Sequence, residues 1–63
     1  MKIIILNQND GSVHIFNFNL KLKELDNFEI IDFYNEINKE FGLHLKDSEC
    51  SYMITDNLNI QIY

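Results

Sequence analysis

The sequence predicts an α+β domain in the order ββαββ, a four-stranded antiparallel sheet with one helix packed across one face. Three observations carry that expectation. Two β-rich segments flank a glycine-bearing polar turn near the start of the chain, the middle repeats its apolar residues at helical spacing, and two alternating segments close the sequence around Asp56-Asn57. The 63 residues make one domain, residues 1–63, since a chain of this length has material for a single core.

The first strand is expected over Lys2 to Leu6, where β-branched and apolar residues stand at consecutive positions, as suits a strand covered on both faces or lying centrally in a sheet. Asn7 to Ser12 reads as a turn in which Gly11 takes positive φ. Val13 to Leu20 then returns as a second strand, with His14, Phe16, Phe18 and Leu20 on one face and Val13, Ile15, Asn17 and Asn19 on the other.

Asp26-Asn27-Phe28-Glu29 has the form of a helix start, an Asp cap with a Glu three residues on that reaches back, and Gly42 is a natural stop. At about 100° per residue, Ile30, Phe33, Tyr34, Ile37 and Phe41 fall in one arc and form the core-facing stripe. Glu29, Asp32, Glu36 and Glu40, spaced three, four and four, form a ridge of carboxylates beside it. Phe28 lies almost opposite the stripe, either stapling the start of the helix onto Leu25 or Leu22 or standing free as an aromatic anchor for a partner.

Leu43 to Leu45 suggests a short extended piece, and Cys50 to Thr55 with Leu58 to Tyr63 suggests a second hairpin. Register discriminates between its possible turns. A two-residue turn at Asp56-Asn57 would set the apolar residues of the two strands on opposite faces, whereas a three-residue loop, Thr55 to Asn57, pairs Ile54 with Leu58, Tyr52 with Ile60 and Cys50 with Ile62. The odd-numbered loop is expected, with Asn57 in the left-handed region. One helix covers one face only, so Ile4, Leu6, Val13, Ile15 and Met53 are expected on the other, where they would gather into an apolar patch of the kind that marks an interface.

At 46% hydrophobic and 24% charged, the composition is that of a folding chain. Residues 24 to 40 hold six acids (Glu24, Asp26, Glu29, Asp32, Glu36, Glu40) against Lys39, while four acids and four lysines cancel elsewhere, so the whole net charge of −5 falls on the predicted helix. No arginine is present, and phosphate neutralisation needs clustered Lys or Arg, so direct nucleic-acid binding is not expected and a basic protein partner is the more natural contact. No stretch approaches the ~20 apolar residues of a membrane span, and the run Ile3 to Leu6 is too short for a signal-peptide core. With one cysteine and no intrachain disulfide, the expected setting is cytoplasmic, and self-association is the natural remedy for so small a core.

Motifs that carry chemistry are scarce. His14 and His44 have no ligand spacing around them and would need to meet Cys50 in space to hold a metal. Cys50 stands beside Glu49, which disfavours a thiolate, and fits a strand as a small hydrophobe. Asn7 to Ser12 has the wrong ligand order for a calcium loop, two glycines cannot build a phosphate cradle, and Asp32 with Glu36 on an exposed helix are solvated charges. No cofactor and no enzymatic activity are expected.

The segments Lys2 to Leu6, Gly11 to Ile15 and Cys50 to Ile62 together resemble short uncharacterised proteins of gut anaerobic bacteria. That resemblance implies a bacterial cytoplasmic accessory protein and transfers no site residue. The function expected is therefore a non-enzymatic protein-interaction module, homodimeric, acting through surface contacts. The alternative is an acidic inhibitor that presents Glu29, Asp32, Glu36 and Glu40, with Phe28, to a nucleic-acid-binding protein as a mimic of the DNA backbone.

Overall fold

The computed structural model describes residues 1–17 and 29–63. Three strands, β1 (Lys2–Asn7), β2 (Val13–Asn17) and β3 (Cys50–Thr55), form an antiparallel sheet in the order β2-β1-β3. The helix α1 (Ile30–Phe41) and a single turn of 3-10 helix (Asp47–Glu49) lie between β2 and β3 in the chain. The class is α+β, as the sequence predicts.

The unbroken apolar run of β1 has its reason in the centre of the sheet, where a strand has neighbours on both edges. Its odd residues meet the helix: Ile3 and Ile5 are fully buried and pack with Tyr34 and Ile37 of α1 and with Leu45. Burying each of these isoleucines contributes roughly 1.5–3 kcal/mol. Phe16 joins them from β2, with its ring 5.7 Å from Phe33 in an edge-to-face arrangement and 5.7 Å from Phe41. Phe41, expected in the core stripe, is 57% exposed, in the last residue of α1 before the Gly42 cap, and flanks the core through its ring contact with Phe16.

The turns explain the glycines. Asn7 is buried at the end of β1, donates its N–H to the Ser12 carbonyl at 2.9 Å, accepts from Gly11 N–H at 2.9 Å, and takes the Asn9 N–H on its side chain at 2.9 Å. Closing this loop needs φ +73° at Gly11. Gly42, at φ +66°, ends α1 with its N–H on the Asn38 carbonyl. Leu43 to Leu45, expected as an extended piece, is irregular and belongs to no strand. It is held instead by the Asn38 side chain, which donates to the Leu45 carbonyl at 2.8 Å and accepts the Leu45 N–H at 2.9 Å. That two-point amide contact does for the segment what a strand partner would do.

Three further expectations need correction. The Asp26 cap and Phe28 lie outside the described residues, and Glu29, expected one turn inside the helix, occupies the cap position with no side-chain capping bond, its carbonyl accepting the Phe33 N–H at 3.2 Å. The fourth strand is not formed: among the described residues Leu58 to Tyr63 pairs with no strand, so the sheet they form has three strands with β3 at an edge. The left-handed turn residue is also missing, since no described residue other than glycine has positive φ, Asn57 included. Local bonds compete with the expected hairpin. Thr55 Oγ1 accepts the Asn57 N–H at 3.1 Å and donates to the Asn57 carbonyl at 3.2 Å, and the Asp56 carboxylate lies 3.7 Å from the Met1 ammonium, so the chain turns away from β3.

Candidate interaction site

The face of the sheet away from α1 is built in cross-strand rows. Val13, Leu6 and Ser51 stand side by side in one row, Ile15, Ile4 and Met53 in the next, and Asn17, Lys2 and Thr55 in the third. The middle row is wholly apolar and the first is apolar but for Ser51, because the strands alternate in phase. Leu6, Val13, Ile15 and Met53 are all exposed, as expected for a face that no helix covers. Ile4, expected among them, is only 6% exposed, being central in its row and flanked on both edges.

Leu58 to Gln61 come to this face and form one wall of an apolar groove of about 670 Å³ whose floor includes Ile4, Ile15 and Met53. Leu58 is half-buried there, whereas Ile60 and Ile62 remain 66% and 92% exposed. The alternation of Leu58, Ile60 and Ile62 had suggested a strand; what it produces is an apolar segment beside an apolar face. Large contiguous exposed apolar patches are commonly contact surfaces in proteins generally.

The acidic ridge is present in part. Asp32, Glu36 and Glu40 are exposed on α1, with Glu29 exposed at its start, and their spacing sets them along the flank of the helix beside the face that buries Tyr34 and Ile37. Among the described residues none of the four forms an ion pair. From Glu29 to Glu40 the helix rises about 16 Å, a length over which a DNA duplex presents about ten phosphates, so the ridge has under half that charge density.

A polar cleft of about 280 Å³ lies at the hairpin end, lined by Asp10, His14, His44 and Glu49 among others. The two histidines therefore share a cleft, and Cys50 does not line it. Among the described residues no group of three or more His, Cys, Asp or Glu side chains could hold a metal ion. Cys50 instead packs half-buried against the core, as a small apolar side chain does.

The cleft's rim carries a hydrogen-bond chain that sequence reasoning missed. Asp10 Oδ1 accepts from the Ser12 N–H at 2.9 Å and from the Ser12 hydroxyl at 2.6 Å, and Ser12 Oγ lies 2.9 Å from His14 Nε2. Ser12 above all, with the His14 charge adding to it, holds the Asp10 carboxyl below its ordinary value. The hydroxyl has one proton and gives it to Asp10, so His14 Nε2 must carry the proton of the second bond. This is the reverse of an activated serine, in which imidazole accepts the hydroxyl proton. The signal was readable in Asp10-Gly11-Ser12-Val13-His14, whose period of two places Ser12 and His14 on one face.

On the buried face of α1, the Tyr34 hydroxyl has no hydrogen-bond partner among the described residues, and desolvation above all, with Cys50, Asp47 and Tyr52 adding to it, pushes its pKa to about 12. Among the described residues no helix is long and apolar enough to cross a membrane. The chain matches no family model, and no curated protein or solved structure is significantly similar to it.

Proposed function

We propose that this protein is a non-enzymatic protein-interaction module, an accessory protein of a bacterial cytoplasm, that works through the open face of its sheet. The observation that carries the reading is the pair of rows, apolar but for Ser51, with Leu6, Val13, Ile15 and Met53 exposed beside the groove walled by Leu58 to Gln61. Burying such a surface is favourable at about 25 cal/mol per Å² before the costs of association. The Ser12 hydroxyl, with its proton committed to Asp10, supports a binding role over nucleophilic catalysis.

The second reading, an acidic inhibitor working through Glu29, Asp32, Glu36 and Glu40, rests on their alignment and exposure. The two readings differ in salt response, since exposed charges are screened beyond about 8 Å at physiological ionic strength and apolar contacts are not. Capture of a partner is to be compared for wild type, a variant with Val13 and Met53 changed to Ser, and a variant with the four acids changed to Gln. The open-face reading predicts capture that withstands high salt and the Gln changes and is lost with the Ser changes. Loss with salt and with Gln, but not with Ser, would transfer the function to the ridge.

A further inference from the structure

Resting on the open-face reading, we infer that Leu58 to Tyr63 form an autoinhibitory strap. Leu58 seats the segment against the open face, Ile60 closes into the groove over Ile15 and Met53, and a partner gains that surface only by displacing it.

The first support is position. Leu58 to Gln61 line the same groove as Ile4, Ile15 and Met53, so the segment already stands on the face a partner would use. Leu58, half-buried there, comes three residues after Thr55, the last residue of β3. Between the two, the Thr55 side chain bonds both the N–H and the carbonyl of Asn57, so the turn that delivers Leu58 is itself held.

The second support is the kind of attachment. Among the described residues the segment pairs with no strand, and the hydrogen bond it makes is internal, the Tyr63 hydroxyl donating to Gln61 Oε1 at 2.6 Å. What ties it to the sheet is apolar contact with Leu58 as its anchor. Such a contact opens and closes without breaking a ladder of backbone bonds.

The third support is that both sides of the closure stand ready and unfilled. Ile60 lines the groove and is still largely exposed, as are Ile15 and Met53 on its floor. The groove, at about 670 Å³, has ample room for the Ile60 side chain. Closing it removes apolar surface from water on the strap and the sheet together. Ile60 is tethered two residues beyond a seated Leu58, and a short tether gives an effective concentration on the order of millimolar, above that of most free partners. A partner's apparent affinity is then reduced by the fraction of molecules with the strap open.

The test uses the full chain. Methyl NOE spectra are to be recorded over a dilution series, and the uncharged apolar dye Nile red is to be titrated against wild type, Ile60→Ser and Met53→Ser, after circular dichroism shows that each variant folds. The expected result is NOEs from the Leu58 and Ile60 methyl groups to Ile15 and Met53 that keep their relative intensity at the lowest concentration. The dye should bind Ile60→Ser roughly threefold to tenfold more tightly than wild type, because its competitor is weakened, and should bind Met53→Ser less tightly. NOEs that fade on dilution would place the contact between copies and overturn the strap, leaving the open-face reading standing. Weaker dye binding by Ile60→Ser would make the segment part of the binding surface instead of its competitor, which also overturns the strap alone. Dye binding indifferent to both substitutions would overturn the open face as a binding surface and the strap with it.

Discussion

Replacing Tyr34 by Phe removes one oxygen atom from the core and should make the protein more stable. The hydroxyl is buried with no hydrogen-bond partner among the described residues, in a side chain 3% exposed. An unsatisfied buried polar group of this kind costs about 1–3 kcal/mol, so its removal should return about 1–2 kcal/mol once the small void left behind is allowed for. In a domain of this size 1 kcal/mol moves the melting midpoint by about 4–8 °C. The same site makes a second, pH-resolved prediction. Burial raises the Tyr34 pKa from 10.0 to about 12, so the folded state holds this proton more tightly than the unfolded chain does. The associated stability is fully present below pH 10 and is lost as pH rises through the folded value, by roughly 3 kcal/mol in all. Urea unfolding followed by circular dichroism at neutral pH, and at steps between pH 10 and 12, measures both. Tyr34→Phe should be the more stable protein at neutral pH, and its advantage should widen across the alkaline window. A variant less stable than wild type at neutral pH, with a difference that does not change up to pH 12, would refute the orphaned hydroxyl and its raised pKa together.

Other consequences follow from the turns and surfaces. Asn38→Ala removes both side-chain bonds to Leu45 and should cost about 2 kcal/mol by urea unfolding, with Asn38→Asp no better, because a carboxylate would face the Leu45 carbonyl at the negative end of α1. Gly42→Ala places a Cβ in the left-handed region where space is open, so its cost, about 1–2 kcal/mol, is purely conformational and should appear without any change in the capture of a partner. Ser12→Ala removes the chief cause of the lowered Asp10 pKa, and a carboxyl titration by NMR should show that value rising toward the ordinary range of an aspartate. In wild type the stability tied to Asp10 is present above its unfolded value and lost as pH falls through the lower, folded one, so Ser12→Ala should be the less acid-sensitive of the two.

How much of this was legible in the sequence depended on how local the deciding forces were. The run Lys2 to Leu6 and the alternation begun at Val13 placed two strands, observed as Lys2–Asn7 and Val13–Asn17, because side-chain period is a property of the segment itself. The expected continuation to Leu20 lies outside the described residues. Of the two settings the first strand allowed, covered on both faces or central, the structure shows it central. Cys50 to Thr55 was found with its bounds, and the split between a covered and an open face came with it. Gly42 marked the helix end because left-handed φ is a single-residue property. The fourth strand was misread because Leu58 to Tyr63 has the right alternation but not the right turn, Thr55 Oγ1 bonding the Asn57 backbone where the hairpin was expected and Asp56 lying 3.7 Å from the Met1 ammonium. The Met1 contact is a relation between opposite ends of the chain, which no local pattern announces.

The site was legible to the same degree. Leu6, Val13, Ile15 and Met53 were placed on the open face by parity alone, but the groove was not, since it exists only because the last segment leaves the sheet edge and comes to that face. Glu29, Asp32, Glu36 and Glu40, read from helical spacing as a ridge beside the core stripe, are all exposed, and the same spacing gives the reason they make a sparse ridge. Phe28 lies outside the described residues, so its proposed role as an anchor gains no support from the fold.

The central claim, that the open face is the surface at work, is tested most directly by following methyl and amide NMR signals as the full chain is concentrated. The account predicts that the methyl groups of Leu6, Val13, Ile15 and Met53 shift together with concentration, at low and high salt alike, while the amides of Asp32, Glu36 and Glu40 stay where they are. Shifts confined to the helix acids and abolished by salt, with the open-face methyl groups unmoved, would contradict it.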